Sequence, residues 1–480
     1  NVLNSTIHSF LGIPFAEPPL GPLRFRKPVP VKPWTGVKTS VELPPRCAQL
    51  RIVSQEDCLY LNVWTPTLDA SAGLDVMVYF HGGVFLYERP LIQRDLRYMA
   101  SMGNVVIVKM NYRLGAFGFL HAHNDDVPGN MGIHDMHLAL LWVRRNIKSF
   151  GGDPSRITAF GSSAGAMSIG LMLTSPIASH LIQVAILQSG SPCVPIIARV
   201  NNSLQAADEL AFRTGCATGN MSVHTHGRQV VGCLRRVNVR RILVGRAEFR
   251  PNLDFISSFV QTQPTFGELT RPSGRCQKRT VVVFVMFILT PQFYKRESHR
   301  KVSKSELFST CNRTFLHSFS KSALRKIYWN YLGLLGHTNY VTLRSAIANC
   351  IADYFMVCPT HVFAEGLSQK GVPVFFYQFD YRTKNSVDPP WMGVIHTAEL
   401  YYLFGEPFAT SWYTDKEREF SKTLVDIWVT FAKTGKPPAR FHWPAYKRNA
   451  RMYLRLSPDN FVSKRGPREE WCKLWEENLY

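Results

Sequence analysis

A serine that lies between two glycines is the residue of this chain best suited to covalent chemistry. Ser163 is the centre of Gly161-Ser162-Ser163-Ala164-Gly165, and G-x-S-x-G is typical of a nucleophile elbow, a sharp turn between a strand and a helix that exposes a serine hydroxyl. Because that hydroxyl is a weak nucleophile near neutral pH, it needs a base that takes its proton during attack. The candidate base is His396, which comes late in the chain.

The patterns on either side of this motif fit the turn that it requires. Residues 156–160 form a short apolar run that predicts a buried strand, and residues 164–173 can continue as a helix. The flanking glycines leave the steric room that such a turn needs. A second apolar run, residues 76–80, leads into His81-Gly82-Gly83-Val84-Phe85, the position of a glycine loop that supplies backbone N–H groups to an oxyanion.

The remaining patterns predict further parts of an α/β fold. Residues 104–110 predict a central strand, and apolar residues at helical spacing predict two amphipathic helices, the second of which should end at Gly435. No internal repeat or low-complexity linker indicates a second domain. The apolar positions are Met136, Leu140, Val143 and Ile147 in the first helix and Phe420, Leu424, Ile427, Trp428 and Phe431 in the second.

Five long segments carry a more specific pattern. They are FLGIPFAEPPLGPLRF (residues 10–25), EDCLYLNVWTP (56–66), NYRLGAFGFL (111–120), FGGDPSRITAFGSSAGAMS (150–168) and IHTAELYYLFGEPF (395–408). In these segments the sequence resembles the type B carboxylesterase and cholinesterase family of α/β-hydrolases, and more closely the general carboxylesterases. The resemblance implies one α/β-hydrolase domain over residues 1–480, with a large, mostly parallel central sheet flanked by helices and an active site at the bottom of a gorge.

The resemblance also implies roles for site residues. Ser163 would attack a small-molecule carboxylic ester and form an acyl-enzyme, while His396 transfers the proton. The oxyanion would be stabilised by the backbone N–H groups of Gly83, Val84 and Ala164, although valine disfavours a positive φ. No metal and no cofactor are expected.

The acid of the implied triad is the main departure from the family. The family places it just ahead of an aromatic and apolar stretch about midway between Ser163 and His396. Residues 277–280 (QKRT) occupy that slot and include no carboxylate, and the nearest upstream acid is Glu268. Three explanations stay open: a catalytically dead protein, a local error in the sequence over about residues 255–283, which we favour, or a shifted acid such as Glu268.

Two further departures bear on specificity. Ser162 stands where the family commonly has glutamate or glutamine. The segment AQLRIVSQED between Cys47 and Cys58 has no tryptophan, whereas in cholinesterases this loop carries the aromatic residue that stacks on choline. We therefore expect a general carboxylesterase. A catalytically impaired or dead member that acts in adhesion or ligand binding, as neuroligin-like proteins do, is the alternative.

Other positions match structural residues of the family. The resemblance implies buried ion pairs between Arg24 and Glu56 and between Arg113 and Asp135, and it places Glu399 beside the triad without a direct role. It also implies three disulfides. These are Cys47 with Cys58, Cys216 with Cys233, and Cys358 with Cys472; the pairing of Cys193, Cys276, Cys311 and Cys350 stays open.

The cysteines and the sequons point to an oxidising compartment, so we expect secretion or residence in the endoplasmic reticulum lumen. The chain has no initiator methionine, signal peptide or long apolar span, and we expect its N-terminus to be truncated with no membrane-spanning segment. The oligomeric state stays open. The candidate glycosylation sites are Asn4, Asn201, Asn220 and Asn312.

The formal net charge of +22 raises the question of nucleic-acid binding. Residues 228–304 hold 16 Lys or Arg and 4 Asp or Glu, a balance of 16 − 4 = +12, so over half of the excess lies in one segment. Aromatic residues are not interleaved with these basic residues as stacking on bases would require. We therefore expect no nucleic-acid partner.

Overall fold

The computed structural model describes residues 5–50, 52–88, 96–194, 200–245, 281–286, 321–333 and 340–479. The strands are β1 His8–Pro14, β2 Tyr60–Thr65, β3 Leu74–Phe80, β4 Val106–Met110, β5 His121–Asn124, β6 Val127–Pro128, β7 Gly152–Ser162, β8 Val184–Gln188, β9 Val281–Met286, β10 Val374–Phe379, β11 Met452–Leu456 and β12 Val462–Arg465. The helices are α1 Arg97–Gly103, α2 Gly115–Phe119, α3 Met131–Asn146, α4 Ala164–Leu173, α5 Val200–Arg213, α6 Gly227–Arg236, α7 Val239–Gly245, α8 Lys321–Gly333, α9 Tyr340–Ala352, α10 Cys358–Gln369, α11 Ala398–Leu403, α12 Glu406–Ala409, α13 Asp415–Thr434 and α14 Glu469–Leu479.

Ten of the described strands form one twisted sheet in the order β1-β2-β4-β3-β7-β8-β9-β10-β11-β12. The pairs from β4 through β11 are parallel, and the outer pairs β1-β2, β2-β4 and β11-β12 are antiparallel. Parallel strands need long crossovers, which the helices between β3 and β11 supply. The predicted α/β-hydrolase fold, with its mostly parallel sheet, is therefore confirmed.

Side chains alternate between the two faces of the sheet along each central strand, and both faces are buried. In β3, Val76, Val78 and Phe80 enter one apolar cluster with helix α3, while Met77 and Tyr79 enter a second cluster with helix α13. Such near-continuous apolar runs are what a parallel sheet covered on both faces needs.

Both predicted amphipathic helices are confirmed. Helix α3 contains Met136, Leu140 and Val143, and Ile147 lies one residue past its end. Helix α13 begins with a capping box between Thr414 and Glu417 and ends at Gly435, which adopts φ 66°. Among the described residues, no helix is both long and apolar enough to span a membrane.

The two expected ion pairs are buried and hold distant segments together. Arg113 donates from Nε and Nη2 to the carboxylate of Asp135 at 2.9 and 2.7 Å, and Arg24 donates from Nε to Glu56 at 2.7 Å. Such bidentate contacts satisfy a buried carboxylate well. Both pairs are scaffold contacts, in agreement with the prediction.

All three predicted disulfides are present. They join Cys47 to Cys58, Cys216 to Cys233, and Cys358 to Cys472, and the last spans 114 residues and links α10 to α14. In the described part of the chain Cys193 is a free thiol and Cys350 is buried. Cys276 and Cys311 lie outside the described residues.

Candidate active site

Ser163 lies at the junction of β7 and α4 in the conformation expected of a nucleophile elbow. Its backbone has φ 55° and ψ −121°, a region that costs a residue with a side chain about 1–3 kcal/mol. The N–H of Ser163 donates to the carbonyl of Gln188 at 2.7 Å, and its carbonyl accepts from Met167 at 2.9 Å. These bonds hold a strained turn in place at the carboxyl edge of the sheet.

Three glycines let the end of β3 approach this turn closely. A Cβ added to Gly165 would lie 2.1 Å from the carbonyl oxygen of Phe80, and one added to Gly161 would lie 2.7 Å from the same atom. One added to Gly82 would lie 2.6 Å from the carbonyl oxygen of Ser162 and 3.0 Å from the Cβ of Ser163. The glycine loop that follows β3 therefore lies directly against the elbow.

Residues 81–85 form a tight turn with three successive positive φ angles. Gly83, Val84 and Phe85 have φ values of 119°, 52° and 62°, and the carbonyl of Gly83 accepts from the N–H groups of Leu86 and Tyr87 at 2.9 and 3.0 Å. The sequence predicted that valine would disfavour this conformation, and Val84 nevertheless adopts it.

Packing around the loop explains how that strain is tolerated. Phe85 is fully buried, its ring lies 5.0 Å from that of Phe119, and its carbonyl accepts from Gly115 at 2.7 Å. At the other end, His81 stacks on Tyr112 with 4.2 Å between ring centroids. Burial keeps the pKa of His81 below its ordinary value, so this histidine is a packing residue and a poor proton carrier.

A buried ion pair fixes the chain just after the loop. Lys109, the fourth residue of β4, donates to Glu88 at 2.5 Å, and both side chains are almost fully buried. The N–H of Glu88 also donates to the side chain of Gln49 at 3.0 Å, inside the loop closed by Cys47 and Cys58. Sequence analysis missed this pair, although a lysine inside the apolar strand NVVIVKM is the signal that could have found it.

His396 lies in a turn that begins helix α11, and one residue ties that turn to the elbow. Gln188 accepts the N–H of Ser163 through its carbonyl and donates from Nε2 to Oε1 of Glu399 at 2.9 Å. Because Glu399 follows His396 by three residues, Gln188 holds the histidine segment and the elbow at the same edge of the sheet. His396 itself is half-buried.

Glu399 is fully buried, and burial raises its pKa to about 8 from an ordinary 4.5. Its Oε2 atom has no hydrogen-bond partner among the described residues, which fits a protonated carboxyl at neutral pH. A neutral carboxyl carries no charge that could stabilise the imidazolium of His396. This supports the expectation that Glu399 is not the triad acid.

The raised pKa predicts a pH dependence of stability. The native state binds the Glu399 proton more tightly than the unfolded chain, so this group lowers the unfolding free energy as pH rises from about 4.5 to about 8. The loss is up to about 5 kcal/mol. Glu399→Gln should remove that slope, which melting temperatures of both proteins at pH 5.5 and 8.5 will measure. Equal slopes in the two proteins would show that Glu399 titrates normally.

Strand β9 directly follows, in sequence, the segment in which the resemblance implies the triad acid. β9 runs parallel to β8, with Val281 beside Val184 and Val285 beside Gln188, so its first residue lies about 13 Å along the strand from the edge that holds Ser163. Residues 277–280, which the resemblance implies as the acid slot, lie outside the described residues, and the identity of the triad acid stays a prediction.

The other predicted acid, Glu268, also lies outside the described residues, and its role stays a prediction. Ser162 is buried, with its Oγ 3.1 Å from the hydroxyl of Tyr79. It takes part in the packing behind the elbow.

Comparison with known proteins agrees with this geometry. A family model described as the carboxylesterase family matches residues 1–475. "Acetylcholinesterase-1" of Trittame loki is 33% identical over an alignment that covers 98% of this chain and 90% of that protein. "Acetylcholinesterase" of Bungarus fasciatus is 33% identical over 100% of this chain and 84% of that protein. "Acetylcholinesterase" of Leptinotarsa decemlineata is 30% identical over 100% and 83%.

Proposed function

Because this chain belongs to the carboxylesterase family, we propose that it is a serine hydrolase that cleaves small carboxylic esters through an acyl-enzyme on Ser163. The observation that carries the proposal is the strained elbow with the glycine loop packed against it. Strained backbone of this kind is typical of active sites, where it holds a reactive side chain in position for the substrate.

In the proposed reaction, Ser163 attacks the ester carbonyl as His396 takes the hydroxyl proton, and the protonated histidine then returns it to the leaving alkoxide. The oxyanion would accept hydrogen bonds from the N–H groups of Gly83, Val84 and Ala164. Ala164 is the first residue of α4, where the N-terminal end of a helix favours negative charge. Water then hydrolyses the acyl-enzyme by the same steps.

A fluorophosphonate probe tests the proposal because it phosphonylates an activated serine and leaves ordinary serines unmodified. We expect one adduct, located by mass spectrometry on the peptide that contains Ser163, together with turnover of p-nitrophenyl acetate that the probe abolishes. No adduct and no turnover would instead favour the catalytically dead alternative. The relatives' names do not support that alternative, since they are names of enzymes.

The relatives are named acetylcholinesterases, but we propose a preference for uncharged esters. The Cys47–Cys58 loop has no tryptophan that could stack on a choline group. The expected result is a kcat/KM for p-nitrophenyl acetate above that for acetylthiocholine, by about tenfold or more for the missing contact. Rates from Ser163→Ala protein serve as blanks for both substrates. A clear preference for acetylthiocholine would contradict this reading.

We further propose that the chain acts in an oxidising compartment, as a secreted or endoplasmic reticulum lumen protein. Three disulfides support this. Asn220 is exposed, as a glycosylated sequon must be. A single domain over residues 1–480 remains the simplest arrangement.

A further inference from the structure

A cavity of about 510 Å³, including its open mouth, adjoins the histidine segment. Gly393, Val394 and Ile395 line it directly before His396, and Ala398 lines it two residues after. No residue of the elbow or of the 81–85 loop lines it. The cavity is therefore separate from Ser163, and the segment that carries His396 forms one of its walls.

Four aromatic side chains line this cavity: Tyr381, Tyr401, Trp412 and Tyr413. The polar atoms of two of them already have protein partners, since Tyr381 donates to Glu417 at 3.0 Å and the indole N–H of Trp412 donates to Thr410 at 2.6 Å. These two side chains therefore present the faces of their rings to a ligand. Trp412 is 44% exposed, so its ring is accessible.

The cavity also contains a carboxylate that no described cationic residue neutralises. Glu406 lines the cavity and is about half-buried. No described residue forms a salt bridge or a side-chain hydrogen bond with its carboxylate. Burial raises the pKa of Glu406, and burial first and the Glu406 charge second raise the pKa of the neighbouring Tyr413. A charge that is partly removed from water without a partner is a cost that a bound cation would offset.

The one guanidinium that lines the cavity does not pair with Glu406. Arg382 is the one cationic side chain among the lining residues, and it donates to the carbonyls of Ser386 and Asp388 at 3.4 and 2.6 Å. Asp388 and Glu406 both line the cavity. The carboxylate of Glu406 is therefore left without a cationic partner on the cavity wall, which favours a cationic ligand.

Aromatic faces and one uncompensated carboxylate match an organic ammonium ion better than a metal ion. Hard metal ions take six or more oxygen ligands, and ring faces are poor ligands for them. Alkylammonium groups bind instead to the faces of tryptophan and tyrosine and to a carboxylate. We propose that this cavity binds a small organic ammonium ion, held by the rings of Tyr401, Trp412 and Tyr413 and by the Glu406 carboxylate.

Tetramethylammonium is the probe, and ¹⁹F spectra of protein labelled with 5-fluorotryptophan give the readout, which does not depend on esterase activity. Trp412→Phe identifies the Trp412 resonance. We expect that resonance to shift in a saturable titration and Glu406→Gln to weaken binding about tenfold. Glu419→Gln, an exposed carboxylate on α13 that pairs with Lys422, is the matched control and should bind as the unmodified protein does.

An unmoved Trp412 resonance in the unmodified protein would overturn the proposal, and that measurement needs no variant at position 406. Equal affinities in Glu406→Gln and Glu419→Gln proteins would overturn it as well. So would binding that an ester substrate displaces competitively and that Glu406→Gln leaves unchanged, because the cation would then occupy the catalytic site.

Discussion

Replacing Ser163 with alanine is expected to lower kcat for ester hydrolysis by up to about a million-fold, because the acyl-enzyme route is then closed and only the rate supplied by binding and oxyanion donors remains. The fold should persist, since the N–H and carbonyl of residue 163 keep their bonds to Gln188 and Met167. Alanine lacks only the hydroxyl of serine, and the backbone of residue 163 keeps its strained conformation.

Ser168→Ala is the matched control for this variant. Ser168 lies on the same helix and donates to the carbonyl of Ala164 at 2.8 Å, so its loss should cost about 1 kcal/mol of stability and leave kcat near the unmodified value. Steady-state turnover of p-nitrophenyl acetate by both variants makes the comparison. If Ser163→Ala retained most of the turnover, another residue would be the nucleophile.

Gly165→Ala is expected to have the second largest effect. Its Cβ would lie 2.1 Å from the carbonyl oxygen of Phe80 and 2.9 Å from that of His81, both backbone atoms that cannot rotate away. Relief requires the end of β3 and the glycine loop to move off the elbow. We expect kcat to fall at least a hundredfold and the unfolding free energy to fall by about 3 kcal/mol or more.

Gly366→Ala provides the control for adding a methyl group. Gly366 lies in helix α10 with no atom within 4 Å of its added Cβ, so this change should raise stability by up to about 1 kcal/mol. Denaturant unfolding and kcat for p-nitrophenyl acetate are the two measurements. An active and stable Gly165→Ala protein would show that the elbow and the glycine loop are not packed as described.

The sequence predicted the elements and the elbow because their signals are local. Apolar runs predicted β3, β4 and β7, and the two glycines around Ser163 marked a turn that backbone sterics allow at few other residues. The place of the triad acid stays a prediction, because strand direction depends on pairing and residues 277–280 lie outside the described residues. Only the register of β9 against β8 shows which end of residues 281–286 faces Ser163.

Long-range polar contacts were also beyond the sequence. Gln188 joins the elbow to Glu399 across 211 positions, and nothing in its neighbourhood marks it. A lysine inside an apolar strand signals a buried partner, but the identity of that partner, Glu88, 21 positions away, depends on how β4 packs beside the glycine loop. Family resemblance could supply the pairs of Arg24 and Arg113, but it could not supply contacts of this kind.

The disulfide between Cys358 and Cys472 makes the last quarter of the chain tolerant of a broken backbone. The exposed turn at Val387, which is 83% accessible, lies between the two cysteines and is a natural point for a protease to cut. The resulting fragments would stay covalently joined and would migrate together on a gel until a reductant separated them. Preparations of this protein should therefore be judged intact only under reducing conditions.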